Sequence, residues 1–516
     1  MKSKDFCEDE KKKLKEQVDK ISQIMNTGKD IHMSIPDDNE IILLGECTHG
    51  TNDFYEVRAN ITKQMIQKGY RVILLEAEWP DIIILNNYIQ GRGFANNIEQ
   101  AFSHLKKFPI WMWKNNVIYK LIKWMKNFNQ ENADNMIYCF GIDCQQFLKS
   151  MQFVTEYLKA HNHEFYNTTY KRLSIFRQFI TESQYATTAV YGALKNIVPN
   201  IINNLQNLLS TFQWEHVDSF IENPDISLSD KIDRISCEQS FEIIVNGEEY
   251  FRKMLEEPSG SQASWNTRDQ HMLMTIMRIR NRFSQINDKV PKIIVWAHNS
   301  HIGNSIATSR GGTTFTNNNT WNLGQMVKEM FKNSINIGFY TYQGKLIAAE
   351  KDKREGVIQD LNESHPLSYE YLFHKVCSKN NLDFFWLDLR DYRYSKNKSN
   401  ESHCNFKINV KYRDIYTGQV FLAKNIILNN KLIYLIDDEN NKHLFINPYS
   451  SIIKRCRLLN SFDYDNVKEL FNSDLLQRWI GVTYVKETEM DSHYGESKLA
   501  LQYDFIYFID KTDNLE

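Results

Sequence analysis

Four apolar runs in this chain each end in a titratable residue, and together they supply acids, bases and a cation. Ile41-Ile42-Leu43-Leu44 leads into Gly45-Glu46-Cys47-Thr48-His49-Gly50, and Val72-Ile73-Leu74-Leu75 leads into Glu76. Met136-Ile137-Tyr138-Cys139-Phe140 runs into Gly141-Ile142-Asp143, and Ile293-Ile294-Val295-Trp296 into Ala297-His298-Asn299-Ser300-His301. A histidine that titrates near neutrality is the natural general base. A carboxylate at its other ring nitrogen fixes the tautomer and stabilises the imidazolium. Glu46 or Glu76 could hold His49 in this way. Arg58 could pair with a carboxylate or stabilise a developing oxyanion. The plainer alternative is that Glu46 and Arg58 form a structural ion pair and His49 satisfies loop backbone.

His298 and His301 are spaced H-x-x-H. With Glu76 they would offer two nitrogens and an oxygen, enough for a catalytic metal with open positions. The pair follows a strand rather than lying on an H-E-x-x-H helix, so the alternative is metal-free: one histidine activates water, another polarises a carbonyl. Asn266-Thr267-Arg268-Asp269 precedes a helical pattern, so Asp269 reads either as a cap or first-turn acid or, with Arg268, as a group reaching the site. Trp296 and Trp265 either line a pocket or belong to the core. The chain has no G-x-S-x-G elbow, no G-x-x-x-x-G-K-[ST] loop and no G-x-G-x-x-G opening a helix. A site rich in His and Glu without a matched nucleophile points to water as the nucleophile.

The elements that must position these groups are those of an α/β fold. Its sheet is mostly parallel with flanking helices, since ligands of open α/β sheets bind outside the carboxyl ends of the strands. After His49, Asn52 or Asp53 is placed to cap a helix reaching about Lys68, with Gly69 as its stop. The strand over 72–75 follows, completing a βαβ unit. Trp79-Pro80 reads as a loop and 82–90 as a helix. Residues 147–290 have helical periodicity, with Val198, Ile201, Ile202, Leu205, Leu208 and Leu209 in one stripe and Pro199 in a first helical turn. They form a helical insertion between the third and fourth strands, over the C-terminal strand ends. Pro258-Ser259-Gly260-Ser261 interrupts it before a helix at about 268–283. Strands resume at 292–296, 335–340 and 383–389. The divisions are therefore 1–146, an α/β half carrying Glu46, His49 and Glu76; 147–290, the helical insertion; 291–391, the continued α/β half with His298 and His301; 392–460, a small β-rich excursion; and 461–516, the return to the core.

Bulk properties remove several classes. The 516 residues carry a formal charge of −2, and no basic stripe points to nucleic acid. No apolar stretch is long enough to span a membrane, and the first residues, Met1 to Glu10, lack the apolar core of a secretory signal. Eight scattered cysteines form no C-x-x-C pair. A cytoplasmic protein is the expectation.

The residues also resemble the erythromycin esterase family. The resemblance rests on Gly45-Glu46-x-Thr48-His49-Gly50 with Arg58, on Leu75-Glu76-Ala77-Glu78-Trp79-Pro80-Asp81, on Asn86-x-Tyr88 and on Gly141-Ile142-Asp143. It continues through Asn266-x-Arg268-Asp269, Trp296-Ala297-His298-Asn299-x-His301, Arg478-x-Ile480-Gly481, Glu487-Thr488-Glu489, Ser492-His493-Tyr494 and Phe505. It implies hydrolysis of the macrolactone ester of 14-membered macrolides, and hence antibiotic resistance. His49 would be the general base, with Glu46, Glu76, Arg58 and His298 completing the catalytic set. His301, Asp143, Arg268, Asp269, Trp296 and Glu78 would bind substrate or support the site. It also implies that no metal or cofactor is required, and a bulky, largely apolar ester or lactone as the small-molecule partner, with apolar walls from the helical insertion. Cys47 departs from the pattern, where a small residue is usual, and 392–460 is extra length. Two other functions are open: acyl, ester or amide chemistry on an intermediate of a natural-product or polysaccharide pathway, and a metal- or haem-binding protein without catalysis.

Overall fold

The computed structural model of the protein describes residues 8–256, 262–287, 289–311, 320–392 and 475–516, Phe471, and four strands between 404 and 445. Its framework is an eight-stranded sheet. In chain order the strands are β1 (Ile41–Leu44), β2 (Tyr70–Glu78), β3 (Tyr138–Asp143), β4 (Lys292–Trp296), β5 (Ser334–Ala349), β6 (Gly356–Leu361), β7 (Phe384–Asp388) and β8 (Phe505–Thr512). The spatial order is β3-β2-β4-β1-β5-β8-β7, with β6 pairing the far end of β5. The pairs from β3 to β8 are parallel; β8–β7 and β5–β6 are antiparallel. Strands covered on both faces are apolar throughout, and all four residues of β1 are buried.

Register sets the site. Leu44 and Leu75 both pair with Trp296, so Gly45, Glu76 and Ala297 lie at one level, where β1 and β4 end. Glu78 pairs with Asp143. The βα unit from β1 to β2 forms as the spacing predicts, but β4 lies between its two strands. Its helix, Asn52–Gln67, starts at Asn52; Thr51 holds the cap position without a side-chain bond, and Gly69 takes a left-handed φ of 92°. Trp79-Pro80 is not a loop. Proline fits the first helical turn, where its missing N–H has no partner to lose, and a helix runs Trp79–Ile89 directly from β2.

Helices occupy the chain between β3 and β4. They include Val198–His216, with Pro199 in its first turn, and the long pair Leu228–Glu256 and Gln262–Asn287. Buried charges bind the long pair: Arg282 donates to Glu238 (3.0 and 2.9 Å) and Arg278 faces Glu242 at 2.5 Å. Residues 258–261 lie outside the described set. The second helix starts at Gln262, so Arg268 and Asp269 sit two turns inside it rather than at its cap. Past β7, strands at Cys404–Arg413, Val420–Asn429, Leu432–Ile436 and Lys442–Phe445 form a small antiparallel sheet; the rest of the expected β-rich excursion lies outside the described residues. Residues 479–485 touch the body through isolated bridges, Thr48–Ile480 and Ala349–Thr483.

Candidate active site

The loop 45–50 is clamped on both flanks. Asn299 N–H donates to the Glu46 carbonyl (2.8 Å), and Ile480 N–H donates to the Cys47 carbonyl (2.8 Å). Its two glycines are needed for close approach. A Cβ at Gly45 would overlap the Asn299 side chain, and one at Gly50 the Ile347 backbone. His49 is therefore presented from a rigid turn, its carbonyl held by Tyr55 Oη (3.0 Å).

His49 Nδ1–H donates to Glu46 Oε1 at 2.9 Å, while Glu46 Oε2 accepts from Arg58 at 2.6 Å. Arg58 is fully buried, its guanidinium 4.3 Å from the Tyr55 ring centre and 4.6 Å from that of Trp296. Glu46 thus bridges the two, and its acceptor oxygen holds the proton of His49 on Nδ1. Nε2 is left with its lone pair, and the ring lines a cavity of about 490 Å³, within the ~300–1,000 Å³ span of small-molecule sites.

His298 lies beside it, ring centres 4.7 Å apart. Ser300 N–H donates to His298 Nδ1 (3.2 Å), so that nitrogen is an acceptor and the ring proton sits on Nε2. Burial and the neighbouring His49 hold His298 well below the ordinary histidine range, hence neutral. Its Nε2 is buried without a partner and the residue lines the cavity. The two rings thus carry opposite tautomers: His49 offers a lone pair and His298 an N–H.

His301 is different. Its Nδ1 faces Asp269 (2.7 Å) and its Nε2 faces Glu76 (3.2 Å), with the ring stacked on Trp265 at 4.4 Å. Burial alone would lower its pKa, but the two carboxylates outweigh it and raise it to about 9. Asp269 is pushed up by its own burial, yet its other oxygen accepts Leu323 N–H (2.7 Å). Asp269 is therefore the acceptor of this pair, and His301 Nε2 lies between Glu76 and Arg268 Nη1 (3.0 Å). Among the described residues no group of three or more His, Cys, Asp or Glu could hold a metal ion.

Glu76 is buried, which opposes ionisation, but His301 and Arg268 hold it well below the usual carboxylate range. Its Oε2 accepts the His298 backbone N–H at 2.7 Å. Arg268 reaches across from the insertion to Glu76 (2.8 Å) and, through two nitrogens, to Asp143 (2.6 and 3.0 Å). Glu78 goes the opposite way: burial and then Asp143 push its carboxyl well above the usual range.

Of the residues expected from sequence, His49, Glu76, Glu78, Asp143, Arg268, His298 and His301 line the cavity. Glu46, Arg58, Asp269 and Trp296 stand behind it. Arg58 is thus screened from any oxyanion by Glu46, and Trp296 packs under Arg58 while donating to Thr62 (3.0 Å); Trp265 lines the cavity instead. Burial pushes the Cys47 thiol far up and leaves it inert. The apolar wall is formed by Leu105, Phe108, Pro109, Met112 and Trp113, together with Tyr250 and Trp265 of the insertion. The opposite rim is Trp479, Gly481, Val482, His493 and Tyr494, anchored by Arg478. Arg478 is fully buried, donating to Glu489 (3.0 Å) and to the carbonyls of Thr341, Tyr342 and Asn362. Neither segment has the periodicity that marks a strand or helix; the aromatic cluster over 108–113 was the signal for the first, and Arg478-x-Ile480-Gly481 with Ser492-His493-Tyr494 for the second.

The erythromycin esterase family model matches residues 65–512, beginning after the loop that carries His49. Three solved structures have the same fold. A succinoglycan biosynthesis protein superposes with a TM-score of 0.63 at 17% identity, covering 98% of either chain. A Bacillus cereus protein gives 0.62 at 15% identity, covering 97% of this chain and 98% of its own. A mutant of the erythromycin esterase EreC in its open conformation gives 0.55 at 14%, covering 92% and 91%.

Proposed function

The chain belongs to the erythromycin esterase family, and from that premise we propose that it hydrolyses an ester or lactone by histidine-activated water. The observation that carries this reading is the pair of adjacent histidines held in opposite tautomers. His49 Nε2 takes a proton from water as the oxygen attacks the acyl carbon. The carbonyl electrons move to oxygen, and His298 Nε2–H donates to that oxyanion. Buried donors aimed at developing charge are worth far more than the same donors in water. When the tetrahedral intermediate collapses, the acyl–oxygen bond breaks and the His49 imidazolium returns its proton to the leaving alkoxide. The products are an acid and an alcohol, or one hydroxy acid from a lactone.

Glu46 and Arg58 set the tautomer of His49. Glu76, His301, Asp269 and Arg268 fix the strand-end backbone from which His298 projects. No step in this reading needs a metal or cofactor. The five described cysteines are buried and free, in keeping with a cytoplasmic protein, and among the described residues no helix is long and apolar enough to cross a membrane.

The family's name supports a 14-membered macrolactone as substrate and a role in antibiotic resistance. A second reading is favoured by the likeness to a succinoglycan biosynthesis protein: the same chemistry on an ester made in a biosynthetic pathway. Mass spectrometry of erythromycin incubated with wild type and with His49→Ala separates them. Gain of one water with wild type alone supports the macrolide. An unchanged drug, with His49-dependent cleavage of other esters, supports the biosynthetic substrate. Activity retained by a folded His49→Ala protein overturns the mechanism.

A further inference from the structure

Ser300 lines the cavity, and its hydroxyl takes no part in the hydrolytic steps. That hydroxyl lies 2.8 Å from His298 Nδ1, and the Ser300 backbone N–H lies 3.2 Å from the same nitrogen. A hydroxyl can donate or accept, whereas an amide N–H can only donate. The amide therefore decides the sense of the hydroxyl contact. If Nδ1 carried the proton, the Ser300 N–H would face a second donor and lose its acceptor. With a lone pair on Nδ1, both contacts are hydrogen bonds to the ring. The hydroxyl makes the closer of the two, at an ordinary hydrogen-bond length, while the amide sits at the long end of its range.

The main chain that carries this hydroxyl is tied down on three sides. Glu76 accepts the His298 N–H (2.7 Å), the Glu46 carbonyl accepts the Asn299 N–H (2.8 Å), and Asn322 Nδ2 donates to the Ser300 carbonyl (2.7 Å). The His298 ring is held far less. Its Nε2 finds no hydrogen bond among the described residues, and its neighbour His49 is a ring contact at 4.7 Å between centres. The Ser300 hydroxyl thus links a fixed backbone to a ring gripped at one nitrogen. Donation into Nδ1 also disfavours a proton there, which keeps His298 a neutral donor while His49 beside it becomes an imidazolium. The same contact could belong to a serine nucleophile and its base. Burial and the neighbouring His49 make His298 a poor base, however, and the lone pair suited to that task is on His49.

We propose that Ser300 is a positioning residue, whose hydroxyl fixes the plane of the His298 ring so that Nε2–H meets the oxyanion. It acts through His298 and does not touch the acyl carbon. The proposal rests on the hydrolase reading above and deepens it.

Ser300→Ala and Ser300→Thr in the full chain test it, by p-nitrophenyl acetate kinetics and by nitrogen-15 NMR of the imidazoles. The His298 signals are assigned by their loss in His298→Gln. In Ser300→Ala, kcat should fall about three- to tenfold, the ratio that one net hydrogen bond carries, at nearly constant KM. The His298 Nδ1 signal should move toward that of an unbonded lone pair, while the His49 signals and the base limb of the pH–rate profile stay in place. Ser300→Thr keeps a hydroxyl and should restore both kcat and the Nδ1 signal; a merely structural role would leave that signal unmoved. Wild-type kcat in Ser300→Ala overturns the proposal, as does an Nδ1 signal that the alanine leaves unchanged. So does a Ser300→Thr protein with the Nδ1 bond restored but turnover as slow as the alanine. An acetyl group found on Ser300 by mass spectrometry after rapid quenching would make the hydroxyl a nucleophile and overturns it too. Absence of any esterase activity in wild type, with an Nδ1 signal that still follows the Ser300 hydroxyl, instead refutes the hydrolase reading and leaves the positioning of His298 standing.

Discussion

Replacing Glu46 by glutamine changes one charge and almost no volume, and the structure dictates how the amide must sit. Glu46 serves two neighbours, Arg58 at 2.6 Å and His49 Nδ1 at 2.9 Å. A glutamine has one acceptor oxygen and one NH2 group to share between them. Arg58 has donors only, is fully buried, and already has two guanidinium nitrogens without partners. Turning an NH2 toward it would set two donors face to face at a buried charge, which costs more than the about 1–3 kcal/mol of a neutral unsatisfied group. The oxygen therefore goes to Arg58 and the NH2 to His49. Nδ1 becomes the acceptor, the ring proton moves to Nε2, and the base loses the lone pair it presents to water. The same loss of tautomer in a serine-protease triad lowers kcat by about 10⁴, or about 5.4 kcal/mol. A fall of that order is expected here. The fold should survive, because Arg58 keeps an acceptor and both aromatic faces, although melting should come earlier since a buried cation has lost its counter-charge. The assay is p-nitrophenyl acetate turnover at pH 8, with nitrogen-15 NMR of His49 to read which nitrogen holds the proton. A folded Glu46→Gln protein with more than about a tenth of wild-type kcat, or with the proton still on Nδ1, refutes this account of the base.

His298→Ala removes the donor facing the cavity and should lower kcat by about 10²–10³ with little change in KM; the limb of the pH–rate profile that reports the base should stay in place, and a shift of that limb would mean His298 itself takes the proton. His301 has its folded pKa raised to about 9 from 6.5. Its contribution is fully present below pH 6.5 and is lost as pH rises through about 9, roughly 3 kcal/mol in all. The melting temperature of wild type should fall over that window and that of Asp269→Asn much less; parallel curves would remove the charge from His301. Arg478→Met leaves Glu489 buried and three carbonyls without their donor, so a loss of about 3–5 kcal/mol is expected in denaturant melts, and a loss below 1 kcal/mol would show that the 479–494 rim is held by something else. At Gly481 a Cβ would lie 4.0 Å from His49 Cδ2, an ordinary contact. Gly481→Ala should therefore work on small esters, while Gly481→Phe should raise KM for bulky ones; equal KM values would place the substrate elsewhere.

The strand ends were legible because a parallel strand buried on both faces must be an unbroken apolar run, so the first acid after it marks where the sheet stops. That places Glu46, His49, Glu76, Asp143, His298 and His301 at the strand ends from the sequence alone. Which of them meet was not legible, since contact depends on register across strands far apart in sequence. Leu44 and Leu75 align on Trp296, and only this puts Glu76 under the His298 backbone. Arg58 looked like an oxyanion donor because it follows His49 by two helical turns; one intervening carboxylate turns it into a holder of charge. Asp269 looked like a cap because the helix start at Gln262 follows a glycine–serine break, and six further residues carry it inside. The walls at 105–113 and 479–494 have no period of 2 or 3.6 to announce them. Arg478, buried among backbone carbonyls, orders the second by tertiary bonds that no local pattern encodes.

The two histidines depend on the rest of the molecule in different ways, and this bears on how the site can tolerate change. The His49 arm is self-contained: Glu46, Arg58, Tyr55 and Trp296 come from β1, its following helix and the adjacent β4. The His298 arm is not. Its backbone N–H is held by Glu76, Glu76 by His301 and Arg268, and Arg268 with Asp269 by a helix of the insertion. That helix is pinned in turn by Arg278 and Arg282 to the helix carrying Tyr250. A shift of the insertion would therefore displace the oxyanion donor and the Asp143–Gln145 end of the cavity while leaving the base in place. The water-activating half is fixed by the sheet. The half that meets the carbonyl and the rest of the substrate is set by the insertion, the part of an α/β enzyme most free to vary without disturbing the sheet. A family keeping one base and changing its esters would vary there.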